Sequence, residues 1–315
     1  MIPRLIVLSI LAVAAYAPRA VDQQPPVEVR WSPDRPTPGT LLRIAAYLDS
    51  GTAAAHAGLG GRVAGQPLHF SRTADSLIAY AGVPVDAPDT ISLALTVSGV
   101  EGADTVMEFP IALHVEPAPP ARPGERLRVA PRFSRQPDSA TTARMARESA
   151  LAMDVARRAH QTPRLWEEPF ARPRSSRITS KFGTGRVFNG AVQSRHLGVD
   201  LAGAVGAPVR AANRGVVALV ADFYLAGTAI YVDHGEGLVT GYFHLSESEV
   251  AVGDTVARGA VIGRVGATGR VTGPHLHWIA RYGTVTVDPL SVVTATEGRG
   301  TRDAGGEREV LTPNP

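Results

Sequence analysis

The first third of the chain alternates apolar and polar residues in short runs. Two such runs are Leu42–Leu48 and Thr90–Val97, and Gly, Pro and Asp residues separate them from their neighbours. Alternation with a period of two places apolar side chains on one face of a strand, and many short strands of this kind are typical of two packed antiparallel sheets. The pattern predicts a β-sandwich domain over residues 26–116.

The middle of the chain changes to a helical pattern. Residues 117–124 are rich in proline, which cannot pair in a sheet and favours an extended linker. From Asp138 to about Ala159 there is no Gly or Pro, and the helix formers Ala, Arg, Met and Glu dominate. Residues 117–170 are therefore predicted to be a linker followed by one helix.

Strand-like runs separated by turn residues return after the helix and continue to about Ser291. They predict a second, all-β domain over residues 171–295. Residues 296–315 contain few apolar side chains and many Gly, Arg, Thr and Glu, so a disordered tail is expected there. The predicted fold class is mostly β, with an N-terminal β-sandwich, one linking helix and a C-terminal all-β domain.

The N-terminus has the pattern of an export signal. Arg4 precedes an apolar stretch over residues 5–16, which is shorter than a full membrane span. Small residues at Ala15 and Ala17 offer a cleavage pattern. Pro18 directly after them is a poor context for cleavage, so an uncleaved membrane anchor is the alternative. Residues 1–20 are therefore predicted to be a signal peptide or anchor, and the remainder is expected in the periplasm or cell envelope.

Composition narrows the chemistry that the chain can perform. The absence of cysteine excludes disulfides, thiolate metal ligands and a thiol nucleophile, so a catalytic metal must be bound by His and carboxylate side chains. The net charge of +3 is typical of an ordinary solvated surface. Because there is no basic cluster and no aromatic reading platform, nucleic acid is not an expected partner.

Five of the nine histidines lie between residues 196 and 277. His196 and Asp200 are four residues apart, which places them on the same side of either a strand or a helix. His275 and His277 would point to one face of a strand. Two His and one carboxylate suit a catalytic zinc, and an ordinary buried hydrogen-bonded pair is the alternative interpretation of His196 and Asp200, which the other motifs disfavour.

A zinc hydrolase also needs a proton acceptor or an oxyanion donor near the metal. The helical H-E-x-x-H motif, which supplies a Glu for this purpose, is absent. The remaining candidates are His244 and whichever of His275 and His277 is not a ligand. His234 lies in a predicted hairpin turn, and we assign it a structural role. Asn189 could reach the site, but turn formation explains its Asn-Gly pair equally well.

The region from Arg177 to Pro289 resembles the lysostaphin-like, LytM-type zinc endopeptidases of peptidase family M23. The resemblance rests on four linked motifs, namely Ser180-Lys181-Phe182-Gly183, His196-Leu197-Gly198-Val199-Asp200, Tyr242-Phe243-His244-Leu245 and Gly266-Ala267-Thr268-Gly269-Arg270-Val271-Thr272-Gly273-Pro274-His275-Leu276-His277. The N-terminal half also looks like the accessory β-domain that precedes the peptidase in some exported members.

The resemblance implies that His196, Asp200 and His277 bind Zn²⁺, and that His244 and His275 act on the bound water and the tetrahedral intermediate. It also implies a LytM-like C-terminal domain and hydrolysis of peptide bonds in peptidoglycan stems or cross-bridges. Cell-wall or divisome proteins are further candidate partners.

Two alternative functions belong to other classes. The first is a non-catalytic LytM-like module that binds or activates a cell-wall amidase, which the complete set of five residues disfavours. The second is a non-haem iron oxygenase or cupin, because two His and one carboxylate also form iron sites. A cupin is expected to have a Glu shortly after the second His, and Trp278–Tyr282 contains none.

Overall fold

The structure is a computed structural model that describes residues 27–47, 58–73, 76–98, 107–117, 124–190, 192–297 and 308–311. It is mostly β with one long helix, which confirms the predicted fold class. The predicted signal peptide or anchor lies outside the described residues, as does most of the proline-rich linker. Within the described part of the chain, neither helix is both long enough and apolar enough to cross a bilayer.

The first eight strands form two antiparallel sheets. They are β1 (Val27–Ser32), β2 (Leu41–Tyr47), β3 (Gly58–Val63), β4 (Gln66–Pro67), β5 (Ser71–Arg72), β6 (Leu77–Gly82), β7 (Thr90–Ser98) and β8 (Met107–His114). One sheet contains β1, β2, β6 and β5 in that order, and the other contains β4, β3, β7 and β8. Apolar side chains from both sheets, such as Ile44 and Leu93, are fully buried in one cluster. This is the β-sandwich that the alternating pattern predicted.

The predicted helix is α1 (Ser139–Arg158), which begins after Asp138. The Asp138 side chain accepts a hydrogen bond from the backbone N–H of Thr141 at 2.7 Å, a typical N-cap. A 3₁₀ turn at Ala159–Gln161 follows the helix. The helix buries Ala152 and Val155 against the C-terminal sheet, so it covers one face of that sheet.

The described residues between 124 and 297 contain thirteen further strands and a second α-helix. They are β9 (Glu125–Leu127), β10 (Ile178–Ser180), β11 (Gly185–Phe188), β12 (Val192–Arg195), β13 (Val199–Ala202), β14 (Pro208–Arg210), β15 (Gly215–Phe223), β16 (Gly227–Gly235), β17 (Leu238–Ser248), β18 (Thr255–Val256), β19 (Val261–Val265), β20 (His275–Tyr282), β21 (Val285–Val287) and α2 (Pro289–Thr296). The main path of the large sheet is β10-β13-β20-β17-β16-β15-β18, and β12, β11 and β9 form a small separate sheet.

The sandwich and the C-terminal region share a hydrophobic core. Leu41 and Tyr80 of the sandwich belong to the same buried cluster as Trp166 and Tyr282. The rings of Tyr80 and Trp166 lie 5.7 Å apart, and the Tyr282 hydroxyl donates a hydrogen bond to the Pro67 carbonyl at 2.6 Å. The sandwich is therefore packed directly on the C-terminal region.

The expectation of a disordered tail over residues 296–315 is wrong for part of that segment. Residue 296 still belongs to α2, and a last strand, β22 (Arg308–Leu311), pairs antiparallel with β1. The edge of a sheet presents unpaired backbone groups, which can pair with a segment of almost any composition. A scarcity of apolar side chains therefore did not exclude a strand here.

Candidate metal centre

The pairing of β13 with β20 builds the centre of the site. Asp200 lies directly opposite His277, and Ala202 lies opposite His275. Leu201, Leu276 and the other alternate residues of these strands are buried in the core. Because side chains alternate across a strand, Asp200, His275 and His277 all project from the opposite face.

His196 reaches the same face from the loop before β13. Its Nδ1 lies 2.9 Å from the Lys181 carbonyl oxygen and 3.2 Å from the Ser180 hydroxyl. A carbonyl oxygen can only accept, so Nδ1 carries the proton and donates it to Lys181. The lone pair on Nε2 is consequently directed towards Asp200 and His277. Ser180 and Lys181 belonged to a recognised motif, but the sequence assigned them no role.

Three ligand-type atoms converge at the centre of the site. His196 Nε2 lies 2.9 Å from Asp200 Oδ1 and 2.9 Å from His277 Nδ1, and the last two atoms are 2.7 Å apart. His196 is 2% exposed and Asp200 is 5% exposed. Among the described residues, these three form the group of His and carboxylate side chains suited to holding a metal ion.

His275 lies beside these three residues. Its Nε2 is 3.7 Å from Asp200 Oδ1, and its Nδ1 is 2.8 Å from the Gly273 carbonyl oxygen. The carbonyl fixes the proton on Nδ1, as it does in His196. Gly273 belongs to the motif Gly266–His277, and its carbonyl thus orients the His275 ring.

His244 enters the site through a bulge in β17. Thr228 pairs with Leu245 and Ile230 pairs with Tyr242, so two residues of β17 lie opposite one residue of β16. His244 has a φ of +63°, a left-handed conformation that is uncommon for a residue with a side chain. Its ring centroid lies 5.0 Å from that of His275 and 5.8 Å from that of His277. The bulge therefore adds His244 to the cluster.

Burial and neighbouring charges determine which groups at the site are charged. Burial by itself would raise the pKa of Asp200, but its close contacts with the His196 and His277 rings outweigh burial and hold this pKa below its usual value. Burial lowers the pKa of His277 to about 4, although the Asp200 carboxylate opposes that shift. Burial, followed by the proximity of His277 and His275, lowers the pKa of His244 well below its usual value. Asp200 is thus favoured as a carboxylate, and His277 and His244 are favoured as neutral imidazoles.

These residues fit a divalent metal. His196 Nε2 and Asp200 Oδ1 both present lone pairs, which repel each other at 2.9 Å unless a cation lies between them. A proton on His277 Nδ1 could be shared between these two acceptors, because that nitrogen lies 2.9 Å from His196 Nε2 and 2.7 Å from Asp200 Oδ1. A Zn²⁺ ion would replace it with three strong contacts, and two His with one carboxylate are ordinary ligands of catalytic zinc.

Two residues that sequence reasoning missed support this arrangement. Arg186 contacts the second oxygen of Asp200, Oδ2. A Cβ at Gly198 would lie 2.6 Å from the Trp278 carbonyl oxygen and 2.7 Å from His277 Cε1, so only glycine fits there. Gly198 was visible as part of a motif, whereas no sequence signal indicated Arg186.

Two residues considered from the sequence lie away from the cluster. Asn189 has a φ of +48°, which suits a turn. Its side chain hydrogen-bonds to the backbone of Val129 and to Ser134, and these contacts attach the turn to the segment before α1. His234 is fully buried, with Nδ1 2.8 Å from the Arg214 carbonyl oxygen and Nε2 2.8 Å from Thr240 Oγ1. Both have contacts that suit a structural role.

Comparison with known proteins identifies relatives of this region. Residues 194–289 match the family described as Peptidase family M23. The DD-carboxypeptidase/endopeptidase Mpg of Neisseria meningitidis is 45% identical over 101 residues, which are 32% of this chain and 23% of Mpg. The peptidoglycan DD-endopeptidase ShyA of Vibrio cholerae is 45% identical over 83 residues, which are 26% of this chain and 19% of ShyA. The similarity thus spans less than a quarter of these curated relatives.

A solved structure extends the similarity beyond that region. A Pseudomonas aeruginosa protein assigned to peptidase M23 superposes with a TM-score of 0.60 at 27% sequence identity. The superposition covers 83% of this chain and 96% of the other, so it includes strands of the sandwich as well as the C-terminal sheet. The region of this chain that matches peptidase family M23 is thus residues 194–289.

Proposed function

We propose that this chain is a zinc-dependent endopeptidase that hydrolyses peptide bonds in the stems or cross-bridges of peptidoglycan. One observation carries the proposal: His196 Nε2, Asp200 Oδ1 and His277 Nδ1 converge to within 2.7–2.9 Å of one another, with two further histidines beside them. A metal-binding module without catalysis would not need His244 and His275 in this position.

The names of the relatives support the substrate class. Mpg is described as a DD-carboxypeptidase/endopeptidase, and ShyA as a peptidoglycan DD-endopeptidase. Peptidoglycan lies outside the cytoplasmic membrane, so this substrate agrees with the apolar segment over residues 5–16 that predicts export. We therefore propose that the protein acts in the periplasm or cell envelope.

In this proposal His196, Asp200 and His277 hold the metal. A zinc ion bound by three protein ligands lowers the pKa of a water molecule to about 7 and polarises the scissile carbonyl. The Lys181 carbonyl orients the His196 ring, and the pairing of β13 with β20 positions the other two ligands. Because these contacts exist within the fold, little reorganisation is needed at the moment of reaction.

His244 and His275 supply the proton transfers. Each ring donates its Nδ1 proton to a backbone carbonyl, His244 to Thr268 at 2.8 Å and His275 to Gly273 at 2.8 Å. When neutral, each ring therefore presents an unprotonated Nε2. Peptide hydrolysis requires removal of a proton from the attacking water and delivery of a proton to the leaving amine. The pair can perform both steps without a Glu base.

The test is digestion of purified sacculi by the full chain, with mass spectrometry of the released fragments. We expect peptide fragments with new amino termini, and these termini also identify the bond. A chelator should abolish release, and added Zn²⁺ should restore it. His244→Ala should reduce the rate by about 10²–10⁴-fold.

A matched control is His114→Ala, which removes an exposed histidine from β8 of the sandwich. It should release fragments at the wild-type rate. Equal release by the wild type, the chelated protein and His244→Ala would overturn the proposal. Binding to sacculi without any release would favour the non-catalytic module instead.

A further inference from the structure

The two oxygens of Asp200 have different partners. Oδ1 points towards His196 and His277, whereas Oδ2 is contacted by Nη2 of Arg186. Both side chains of this ion pair are largely shielded from solvent, with 14% of Arg186 and 8% of Asp200 exposed. The carboxylate is therefore held from both sides.

Arg186 is itself held by a second carboxylate. It lies in β11, and its Nε donates to Glu125 Oε2 at 3.2 Å. Glu125 belongs to β9, which pairs parallel with β11 so that Glu125 is aligned with Arg186. A single guanidinium thus bridges the segment that precedes α1 to the centre of the site.

We infer that Arg186 is a positioning residue for the proposed metal centre, and that Glu125 fixes Arg186 in place. The inference rests on the proposed function, because it assigns Asp200 as a metal ligand. A carboxylate with one oxygen paired to an arginine is restrained from rotating, and that oxygen is a weaker metal ligand because its charge is shared with the guanidinium. Arg186 therefore keeps Asp200 a ligand through Oδ1 alone.

The physical properties of arginine suit this role. Its guanidinium remains charged at any ordinary pH and presents several N–H donors in a fixed planar arrangement, so it can bind two carboxylates at once. Lysine offers one compact charge and could replace only part of these contacts. An ion pair shielded from water is also costly to form, so it is a weak device for stability alone.

The test compares zinc affinity among variants of the full chain, measured by competition with a chromophoric chelator. Arg186→Gln should weaken Zn²⁺ binding by about 10–100-fold, the usual cost of losing a residue that orients a metal ligand. The zinc affinity of Arg186→Lys should lie between those of Arg186→Gln and the wild type. Glu125→Gln should produce a smaller loss than Arg186→Gln, because Arg186 keeps its contact with Asp200.

Arg195→Gln is the matched control. Arg195 lies in β12 of the same hairpin, but its guanidinium donates to the Val85 carbonyl at 3.0 Å rather than to Asp200. This variant should bind zinc as tightly as the wild type. Thermal unfolding of each zinc-free variant separates a loss of affinity from a loss of folding.

A second measurement does not depend on affinity. The visible absorption of the Co²⁺-substituted protein at saturating metal reports coordination number, and intensity falls as four-coordinate Co²⁺ gains a fifth ligand. Arg186→Gln should show this decrease, because Asp200 becomes free to bind through both oxygens. Arg195→Gln should retain the wild-type spectrum.

The outcomes separate the two proposals. Wild-type zinc affinity and an unchanged Co²⁺ spectrum in Arg186→Gln would overturn the role of Arg186 while leaving the proposed function intact. Failure of the wild type to bind zinc would overturn the proposed function itself.

Discussion

Asp200 and His277 face each other directly across the antiparallel strands β13 and β20, with Oδ1 of the first 2.7 Å from Nδ1 of the second. The distance between these two candidate ligands is therefore set by the strand register. The register is in turn set by burial of Val199, Leu201 and Trp278 on the other face, since a slip of one residue would expose all of them. The hydrophobic core thus determines the geometry of the polar site.

Replacing Asp200 with Asn should remove the negative charge and keep the shape of the side chain. Loss of residues that only orient a ligand weakens metal binding by about 10–100-fold, so loss of the ligand charge should cost at least about 100-fold in Zn²⁺ affinity. Competition with a chromophoric chelator measures the Zn²⁺ affinity of each variant. Asp222→Asn, which removes an exposed carboxylate from β15, should have no effect. Equal affinities in the wild type and Asp200→Asn would contradict the ligand role.

His275 and His277 should respond differently to the same substitution. His277→Ala removes a convergent atom and should abolish stoichiometric zinc binding. His275→Ala should retain zinc but lose about 10²–10⁴-fold in the rate of sacculus digestion, because it removes only a proton-transfer group. Metal analysis after dialysis, combined with the digestion assay, distinguishes the two variants. If His275→Ala lost its zinc and His277→Ala kept it, the two roles would be exchanged.

Local spacing was sufficient to predict part of this site. His275 and His277 share a face because strand side chains alternate, and four-residue spacing places Asp200 with His196 on either a strand or a helix. The sandwich strands and α1 also followed from periodicity and the absence of Gly and Pro. Each of these features depends on residues that are close in sequence.

The features that sequence could not provide depend on contacts between distant segments. The bulge that places His244 arises from the pairing of β17 with β16, and no residue pattern marks it. The contact between Arg186 and Asp200 requires the β11–β12 hairpin to lie over β13. Likewise, β22 forms because β1 has a free edge, which is a property of the partner strand and not of residues 308–311.

Gly198→Ala should disturb the site without removing any polar side chain. The new Cβ would meet the Trp278 carbonyl oxygen at 2.6 Å, His277 Cε1 at 2.7 Å and Ile279 Cγ2 at 2.8 Å. Overpacking of this kind costs about 1–3 kcal/mol, and here the displaced atoms include the His277 ring. We expect a lower urea midpoint and weaker zinc binding together.

Gly185→Ala is the control for Gly198→Ala. The nearest atom to its Cβ would be Gly124 Cα at 3.8 Å, an ordinary contact. This variant should keep both the wild-type midpoint and the wild-type zinc affinity. A Gly198→Ala variant that also kept both would show that the loop between His196 and Asp200 has room that the structure does not provide.

His234 should make the stability of the protein depend on pH. It is fully buried, and burial lowers its pKa from 6.5 to about 4 despite the hydrogen bond to the Arg214 carbonyl. Between these pH values the unfolded chain binds a proton that the folded protein excludes, so stability is constant above about pH 6.5 and falls as the pH approaches 4. The full effect is about 3 kcal/mol, since each pKa unit corresponds to about 1.4 kcal/mol. Urea unfolding of the chelated protein at pH 7.5, 5.5 and 4 should show the stability advantage of the wild type over His234→Gln shrinking by that amount.

The same comparison with His114→Gln controls for removal of an exposed imidazole. A pH-independent difference between wild type and His234→Gln would mean that His234 accepts a proton without unfolding its surroundings.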